Sequence, residues 1–225
     1  MMKLSLAALA CAALMAAGAP AHADVVTFED VPLDFVGNGG SINNGGFIFT
    51  QLGDFGGVTD DQSFLFNNAP TGNSSHIYAA LNDTSVRLTH ATRNFRLTGL
   101  DFGFAPVLDQ IYALGDTYGG LVLEAVGADG NSYSAFADFG AADSDGRFAF
   151  QTAGLAGLGA LGSQYLQSLT LTACVFDNGN CVAPNVNQNQ FAIDNLILAV
   201  PEPGSLALAA LALGMVGATR RRQAC

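Results

Sequence analysis

The sequence predicts an all-β domain, an antiparallel, jelly-roll-like β-sandwich of about ten strands. Between Asp24 and Val200, no stretch of useful length repeats its apolar residues with the period of a helix. Short runs rich in β-branched and aromatic residues occur instead, and Gly, Asn, Asp and Pro separate them at intervals typical of a sandwich. A segment of this length can form one domain with an ample core.

The predicted strands follow one another with a turn signal after each. In chain order they are Val25–Glu29, Gly46–Thr50, Ile77–Leu81, Ser85–Thr89, Phe95–Phe104, Gly120–Val126, Ser132–Phe139, Arg147–Thr152, Gln167–Val175 and Gln190–Ala199. Asp129-Gly130 predicts a tight hairpin turn after Val126. Phe47 and Phe49, like the later pairs Phe102/Phe104 and Phe148/Phe150, alternate along a strand and so predict a buried face. The glycine-rich run Gly154–Gly162 fits either a short helix or a hydrophobic loop.

The N-terminal 23 residues have the three parts of a secretory signal peptide. Lys3 supplies the positive charge, Leu4–Gly18 is apolar, and Ala21 and Ala23 form an Ala-x-Ala cleavage site. We therefore expect cleavage before Asp24 and export through the inner membrane. The expected organisation is a signal peptide at 1–23, the β-sandwich domain at 24–199 and a separate C-terminal segment at 200–225.

The C-terminal segment combines a proline break, a short apolar run and a basic cluster. Pro201, Glu202 and Pro203 interrupt strand and helix alike, because proline has a fixed φ and lacks an N–H group. As a helix, Leu206–Ala218 would be about 20 Å long, which is short for a bilayer core of about 30 Å. The basic residues that follow, expected on the cytoplasmic side, are Arg220, Arg221 and Arg222. The alternative, a buried core helix, is disfavoured because the run has no polar face.

This tail resembles the PEP-CTERM sorting signal of Gram-negative bacteria that make exopolysaccharide, a tail sometimes labelled after ice-binding proteins. The resemblance implies that a membrane protease, an exosortase, cuts near the Pro-Glu-Pro triplet, and that the C-terminal helix lies in the membrane before processing. It implies a protein of the cell surface, the outer membrane or the extracellular matrix, with exopolysaccharide as a possible partner. The domain sequence shows no regular threonine array, so ice binding is not predicted.

Without its two end segments, the chain is strongly acidic. Of the 19 acidic residues, 18 lie within residues 24–200. Lys3 and the three tail arginines lie outside this range, so it contains 4 of the 8 basic residues. Its net charge is therefore −14. Nucleic acid is therefore not an expected partner, since phosphate contacts need Lys or Arg. The domain sequence contains one cluster of basic residues, namely Arg87, Arg93 and Arg96. These side chains either pair with acidic residues or contact an acidic polysaccharide.

Two pairings are predicted within the domain. Cys174 and Cys181 bracket a short loop in an exported chain, which predicts a disulfide. The domain edges resemble carbohydrate-binding jelly rolls, in which acids of the neighbouring first and last strands share a structural calcium. That resemblance implies a calcium site made by Glu29, Asp30 and Asp194, whose oxygens suit this cation. The alternative is that Glu29 and Asp30 belong to a solvated turn and Asp194 caps a bend.

Three functional classes remain in competition at this stage. The predicted one is a structural or adhesive matrix protein, and the second is a carbohydrate-binding module with one sugar cleft and a structural calcium. The third, a secreted hydrolase, is disfavoured. Ser75 and His76 are adjacent, but no nucleophile elbow surrounds them. The sequence therefore does not predict an enzyme.

Overall fold

The computed structural model describes residues 22–61, 69–106, 113, 115–182 and 188–201. Asp24–Ala199 forms one compact unit. Nearly all of Met1–Ala23 and Val200–Cys225 lies outside the described residues. The predicted signal peptide with Ala21, the apolar tail helix, Glu202, Pro203 and the arginine cluster fall there. Among the described residues, no helix is long and apolar enough to cross a bilayer.

Fourteen strands and two short helical turns make up the described domain. The strands are β1 (His22–Val26), β2 (Asp34–Gly37), β3 (Ser41–Asn44), β4 (Phe47–Leu52), β5 (Phe55–Thr59), β6 (Ile77–Leu81), β7 (Ser85–His90), β8 (Arg96–Phe104), β9 (Gly119–Gly127), β10 (Ser132–Asp138), β11 (Gln151–Gly154), β12 (Leu166–Asp177), β13 (Asn180–Val182) and β14 (Phe191–Val200). Helix α1 (Leu155–Leu158) and a 3-10 turn (Leu161–Ser163) occupy the glycine-rich run. The helix alternative is thus the observed one for that run.

The strands form two antiparallel sheets, so the predicted β-sandwich is confirmed. The first sheet has the order β11-β8-β14-β6-β5-β2, with β1 beside β14. The second sheet has the order β10-β9-β12-β7-β4-β3, with β13 beside β12. The chain passes repeatedly from one sheet to the other, which places sequence neighbours such as β6 and β7 on opposite layers.

The differences from the predicted strands lie in short elements. β2, β3, β5 and β13 have three to five residues each and no regular apolar alternation, so pairing with a neighbour decides their conformation. The first strand stops at Val26, and Glu29 and Asp30 lie in the turn that follows. The strand predicted at Arg147–Thr152 forms later, as β11.

Phenylalanine dominates the core between the two inner faces. Five of the six predicted core rings are at most 2 % exposed, namely Phe47, Phe49, Phe102, Phe104 and Phe148. Phe150 is half-buried and packs against a cluster around Ile77 and Leu81. Phe28 and Phe49 meet edge to face, with ring centroids 5.1 Å apart. The predicted core role of the alternating rings is therefore confirmed.

Two local predictions are confirmed on the second sheet. Asp129 and Gly130 form the turn between β9 and β10, and Gly130 has a φ of +82°, which glycine adopts without strain. Cys174 and Cys181 form a disulfide between β12 and β13, with Cα atoms 5.5 Å apart. The disulfide holds the short strand β13 against the longest strand of the sheet.

A bulge in β14 sets the direction of its central side chains. Asp194 pairs with Asp101 and Ile197 pairs with Gly99, so three steps along β14 match two along β8. Asn195 lies in the bulge and has a φ of +48°, a conformation that asparagine tolerates. Its side-chain amide donates to Asp101 Oδ2 at 2.9 Å. Asp194, just before this irregular step, is completely buried.

Candidate functional site

A groove of about 620 Å³ crosses the outer face of the second sheet. Its floor is a row of four side chains, one from each of four adjacent strands. Arg87 on β7 is paired with Thr170 on β12, Thr170 with Glu124 on β9, and Glu124 with Ser134 on β10. Residues paired in register point to the same side of a sheet, so these four form one polar row.

The alternation of β7, β9 and β12 makes this row polar and keeps it on the outside. Leu88, Leu123 and Leu171 alternate with the row residues and are fully buried on the inner face. Because side chains alternate between faces, burying these leucines leaves Arg87 and Glu124 exposed. The groove therefore follows from the same pattern that builds the core.

The row offers both donors and acceptors to a ligand. Arg87 and Glu124 flank Thr170 on either side, and two strand spacings place them about 10 Å apart across the sheet. The guanidinium group donates, the carboxylate accepts, and the hydroxyls of Thr170 and Ser134 do both. The two opposite charges offset each other, so the groove can hydrogen-bond a hydroxylated ligand without selecting a strongly charged one.

The β9–β10 hairpin closes one end of the groove through a rigid turn. Tyr133 OH donates to Asp129 Oδ2 at 2.7 Å, and Asn131 also donates to Asp129 from its backbone and side chain. The hydrogen bond from Tyr133 lowers the pKa of Asp129, and the same bond raises the pKa of Tyr133. The ionised carboxylate is thus the form that organises this turn.

The second candidate site surrounds the buried carboxylate of Asp194 in the first sheet. Its Oδ2 accepts hydrogen bonds from Asn73 Nδ2 at 2.8 Å and from Ser75 Oγ at 2.7 Å. Its Oδ1 is buried and has no hydrogen-bond partner among the described residues. Burying a carboxylate costs several kcal/mol unless hydrogen bonds or a cation compensate for the lost water. A partner for Oδ1 is therefore the main unmet requirement of this site.

Glu29 reaches the same loop from the turn after β1. Its Oε1 accepts a hydrogen bond from the backbone N–H of His76 at 3.0 Å. Glu29 and Asp194 thus bind opposite ends of the segment 73–76, whereas Asp30 is exposed in the turn. In the described ranges, no group of three or more carboxylate, histidine or cysteine side chains could hold a metal ion. Asn73 Oδ1 and Ser75 Oγ, which touch each other, add neutral oxygens of the kind that calcium accepts.

The adjacent pair Ser75 and His76 is not arranged as a nucleophile and its base. Ser75 Oγ contacts Asp194 and Asn73, while His76 Nδ1 lies 3.2 Å from the carbonyl oxygen of Phe28. A catalytic serine needs its hydroxyl hydrogen-bonded to the histidine. Instead, Ser75 holds the loop to β14, and His76 holds it to the bend after β1.

The three grouped arginines separate in the structure. Arg87 lies in the groove on β7, and Arg93 lies in the bend after that strand. Arg96 begins β8 in the first sheet, where its guanidinium carbon is 5.7 Å from the centroid of the Tyr165 ring. They do not share one surface strand, so only Arg87 contributes to the groove.

Sequence reasoning missed the row because its members are far apart in the chain. Glu124, Thr170 and Ser134 carry no motif, and only the strand order brings them beside Arg87. The regular alternation of β9, β10 and β12 was the available signal, since it shows that their polar residues share one outward face.

Comparison with known proteins identifies the tail and the fold. Residues 199–223 match the family described as the PEP-CTERM protein-sorting motif, in agreement with the resemblance of the tail. No curated protein matches the chain. The crystal structure of a DUF4465 family protein from Bacteroides caccae is similar at a TM-score of 0.53 and 13% identity, over 80% of this chain and all of that one. That similarity concerns the fold alone.

Two carbohydrate-binding structures align less closely. The CBM22-1 xylan-binding domain of Paenibacillus barcinonensis Xyn10C has a TM-score of 0.36 and 11% identity, over 82% of this chain and 99% of that one. A family 29 carbohydrate-binding module, CBM29-2, in complex with mannohexaose has a TM-score of 0.36 and 10% identity, over 83% and 96%.

Proposed function

We propose that this chain, which carries a PEP-CTERM sorting motif and is therefore exported to the cell envelope or surface, binds polysaccharide there through the groove of the second sheet. The polar row of Arg87, Thr170, Glu124 and Ser134 is the observation that carries the proposal. It is long enough to contact a chain rather than a single small molecule, since it spans four strands spaced about 4.8 Å apart.

The chemistry of the groove favours a polyhydroxylated partner. Each hydroxyl of a sugar is both donor and acceptor, and the row combines one donating group, one accepting group and two hydroxyls that do both. The acidic surface of the domain disfavours nucleic acid, which needs many basic contacts. One defined groove also favours the carbohydrate-binding alternative over broad adhesion by the whole surface, while both remain compatible with a matrix location.

The test uses exopolysaccharide isolated from the producing strain and the protein purified from the same cells. In affinity electrophoresis, the wild type is expected to be retarded by the polysaccharide, and Arg87→Ala with Glu124→Ala is expected to lose the retardation. The matched control is Arg147→Ala with Asp145→Ala, which removes the same charges outside this groove. Because Arg147 Nη2 donates to the carbonyl oxygen of Ala69 at 3.1 Å, thermal unfolding checks that this control keeps its fold. Equal retardation of both double variants would refute the groove as the binding surface, and no retardation of the wild type would refute the function.

We also propose that an exosortase processes the exported chain next to the domain. β14 runs to Val200, directly before Pro201, so the sandwich ends where the sorting segment begins. Cleavage near the Pro-Glu-Pro triplet therefore leaves the whole domain intact, and signal-peptide cleavage before Asp24 removes only His22 and Ala23 from β1. The cell surface or the extracellular matrix is the proposed destination of this mature form.

A structural calcium is the third part of the proposal. Asp194 Oδ1 has no hydrogen-bond partner in the part of the chain that the structure describes. Asn73 and Ser75 place further oxygens on the loop that Asp194 contacts, and Glu29 binds the same loop from the turn after β1. A cation bound there would offset the buried charge and tie the turn after β1, with Asp30, to the last strand. The site would thereby fix the two edges of the jelly-roll-like domain to each other, far in the fold from the sugar-binding row on the second sheet.

A further inference from the structure

Two phenylalanine rings lie on the outer face of the second sheet, beside the polar groove. Phe136 on β10 is 44% exposed, although phenylalanine has one of the largest apolar side chains. Phe176 on β12 is half-buried, and the two ring centroids are 6.0 Å apart at an angle of 47°. With Val126, which is 40% exposed on the same face, the pair adds apolar surface next to the polar row.

Phe136 lies across the sheet rather than standing away from it. A Cβ atom placed on Gly120 of the adjacent strand β9 would come within 2.2 Å of Phe136 Cζ, so the ring tip rests on that glycine. Phe136 is paired in register with Val122, two residues from Gly120, which shows that the ring leans along β9 toward Gly120 and away from Glu124. A ring in this orientation covers the glycine with one side and presents the other to solvent.

The aromatic pair lies on the same face as the polar row, further along the strands. Phe136 and Ser134 are on the same side of β10. The tip of the Phe136 ring lies over Gly120, four residues from Glu124 on β9, which is about 13 Å along the strand. A sugar chain that runs along β9 and β10 can therefore place one ring on Phe136 while a ring further along the chain contacts Ser134 and Glu124.

We propose that Phe136 and Phe176 form a stacking platform for one sugar ring of an uncharged polysaccharide, another ring of which contacts the polar row. This inference rests on the proposed polysaccharide binding and names its ligand class. The C–H face of a sugar is apolar and flat, so it suits an exposed aromatic ring, whereas its hydroxyl rim suits the row.

Charge decides between a neutral and an acidic chain. The segment 24–200 carries a net charge of −14, so a polyanion is repelled by the surface as a whole. Within the groove, Arg87 is offset by Glu124, and no other basic side chain lines it among the described residues. An uncharged chain avoids this repulsion and still satisfies the donors and acceptors of the row.

The experiment separates ring stacking from simple hydrophobic contact. Exopolysaccharide of the producing strain is divided by anion exchange into neutral and acidic fractions, and the dissociation constant of the purified protein is measured for each. Phe136→Tyr keeps a flat ring and is expected to bind the neutral fraction like the wild type. Phe136→Leu keeps an apolar side chain without a flat ring and is expected to bind about tenfold more weakly.

Ile197→Ala is the matched control. Ile197 is 37% exposed on β14 of the first sheet, so its removal changes exposed apolar area on the other layer and should leave binding unchanged. Thermal unfolding of each variant shows whether the fold is retained. Phe176→Leu gives an independent second position if Phe136→Leu unfolds.

The outcomes distinguish this inference from the proposed function. The platform would be supported if the wild type and Phe136→Tyr bind the neutral fraction equally well and Phe136→Leu binds it more weakly. Binding that all variants retain would overturn the platform but leave the groove as the binding surface. Preference for the acidic fraction would overturn the ligand class. Absence of binding to both fractions would overturn the proposed function itself, and with it this inference. A concentration-dependent dimer lost in Phe136→Leu would assign the rings to self-association instead.

Discussion

Replacement of Asp194 by Asn tests the calcium proposal with little change in shape. In the absence of calcium, two effects oppose each other. The substitution removes a buried charge whose Oδ1 has no partner, and it weakens the hydrogen bonds from Asn73 and Ser75. An unsatisfied buried group costs about 1–3 kcal/mol, and a hydrogen bond to a charged group contributes about as much, so the net change without calcium is expected to be small.

The variant should differ from the wild type in the stabilisation that calcium binding adds. Extracellular modules bind calcium with a Kd of about 10⁻⁴ M, so about 10 mM calcium is near 100 times Kd. Binding to the folded state alone then stabilises by about 2.7 kcal/mol. For a domain of this size that free energy raises Tm by about 5–11 °C. Asp194→Asn is expected to lose most of this shift.

The assay is thermal unfolding followed by circular dichroism, in EDTA and in about 10 mM calcium or magnesium. Asp101→Asn is the matched control, because Asp101 faces Asp194 across the strand pair and both its oxygens accept hydrogen bonds, from Thr152 and Asn195. It should keep the calcium shift. No calcium shift in the wild type, or an undiminished shift in Asp194→Asn, would refute the reasoning.

Two further predictions concern processing and pH. The intact mass of protein from the medium should correspond to a chain that starts at Asp24 and ends between Pro201 and Gly204. It should be lower by the mass of two hydrogen atoms, because Cys174 and Cys181 form a disulfide. A mass that includes Cys225 would contradict processing. Burial, assisted by Arg93, lowers the pKa of His90, whose Nδ1 accepts hydrogen bonds from the backbone N–H groups of Thr92 and Arg93 at 3.2 Å. The neutral ring therefore contributes stability that is complete above the ordinary pKa of 6.5 and is lost as pH falls through the lower folded value; an NMR titration of His90 with a midpoint at or above 6.5 would contradict this.

The sequence by itself determined those features that depend on neighbours along the chain. The tail carries its sorting motif as a contiguous string, and the domain shows its class through alternation and turn residues. Asp129 and Gly130 specify a hairpin because the turn needs a residue that adopts positive φ. Cys174 and Cys181 are close enough in sequence for the disulfide to be predicted. In each case the physical cause acts over a few residues.

The tertiary structure alone decided which distant residues share a surface. Strands β7, β12, β9 and β10 come from separate parts of the chain, and only their order in the sheet aligns Arg87, Thr170, Glu124 and Ser134. Asp194 lies buried beside the bulge in β14, where it contacts Asn73 and Ser75. No local sequence pattern indicates that the loop carrying these two residues is its partner. Both candidate sites therefore arise from long-range strand pairing, because register and layer, rather than local preference, fix which side chains meet.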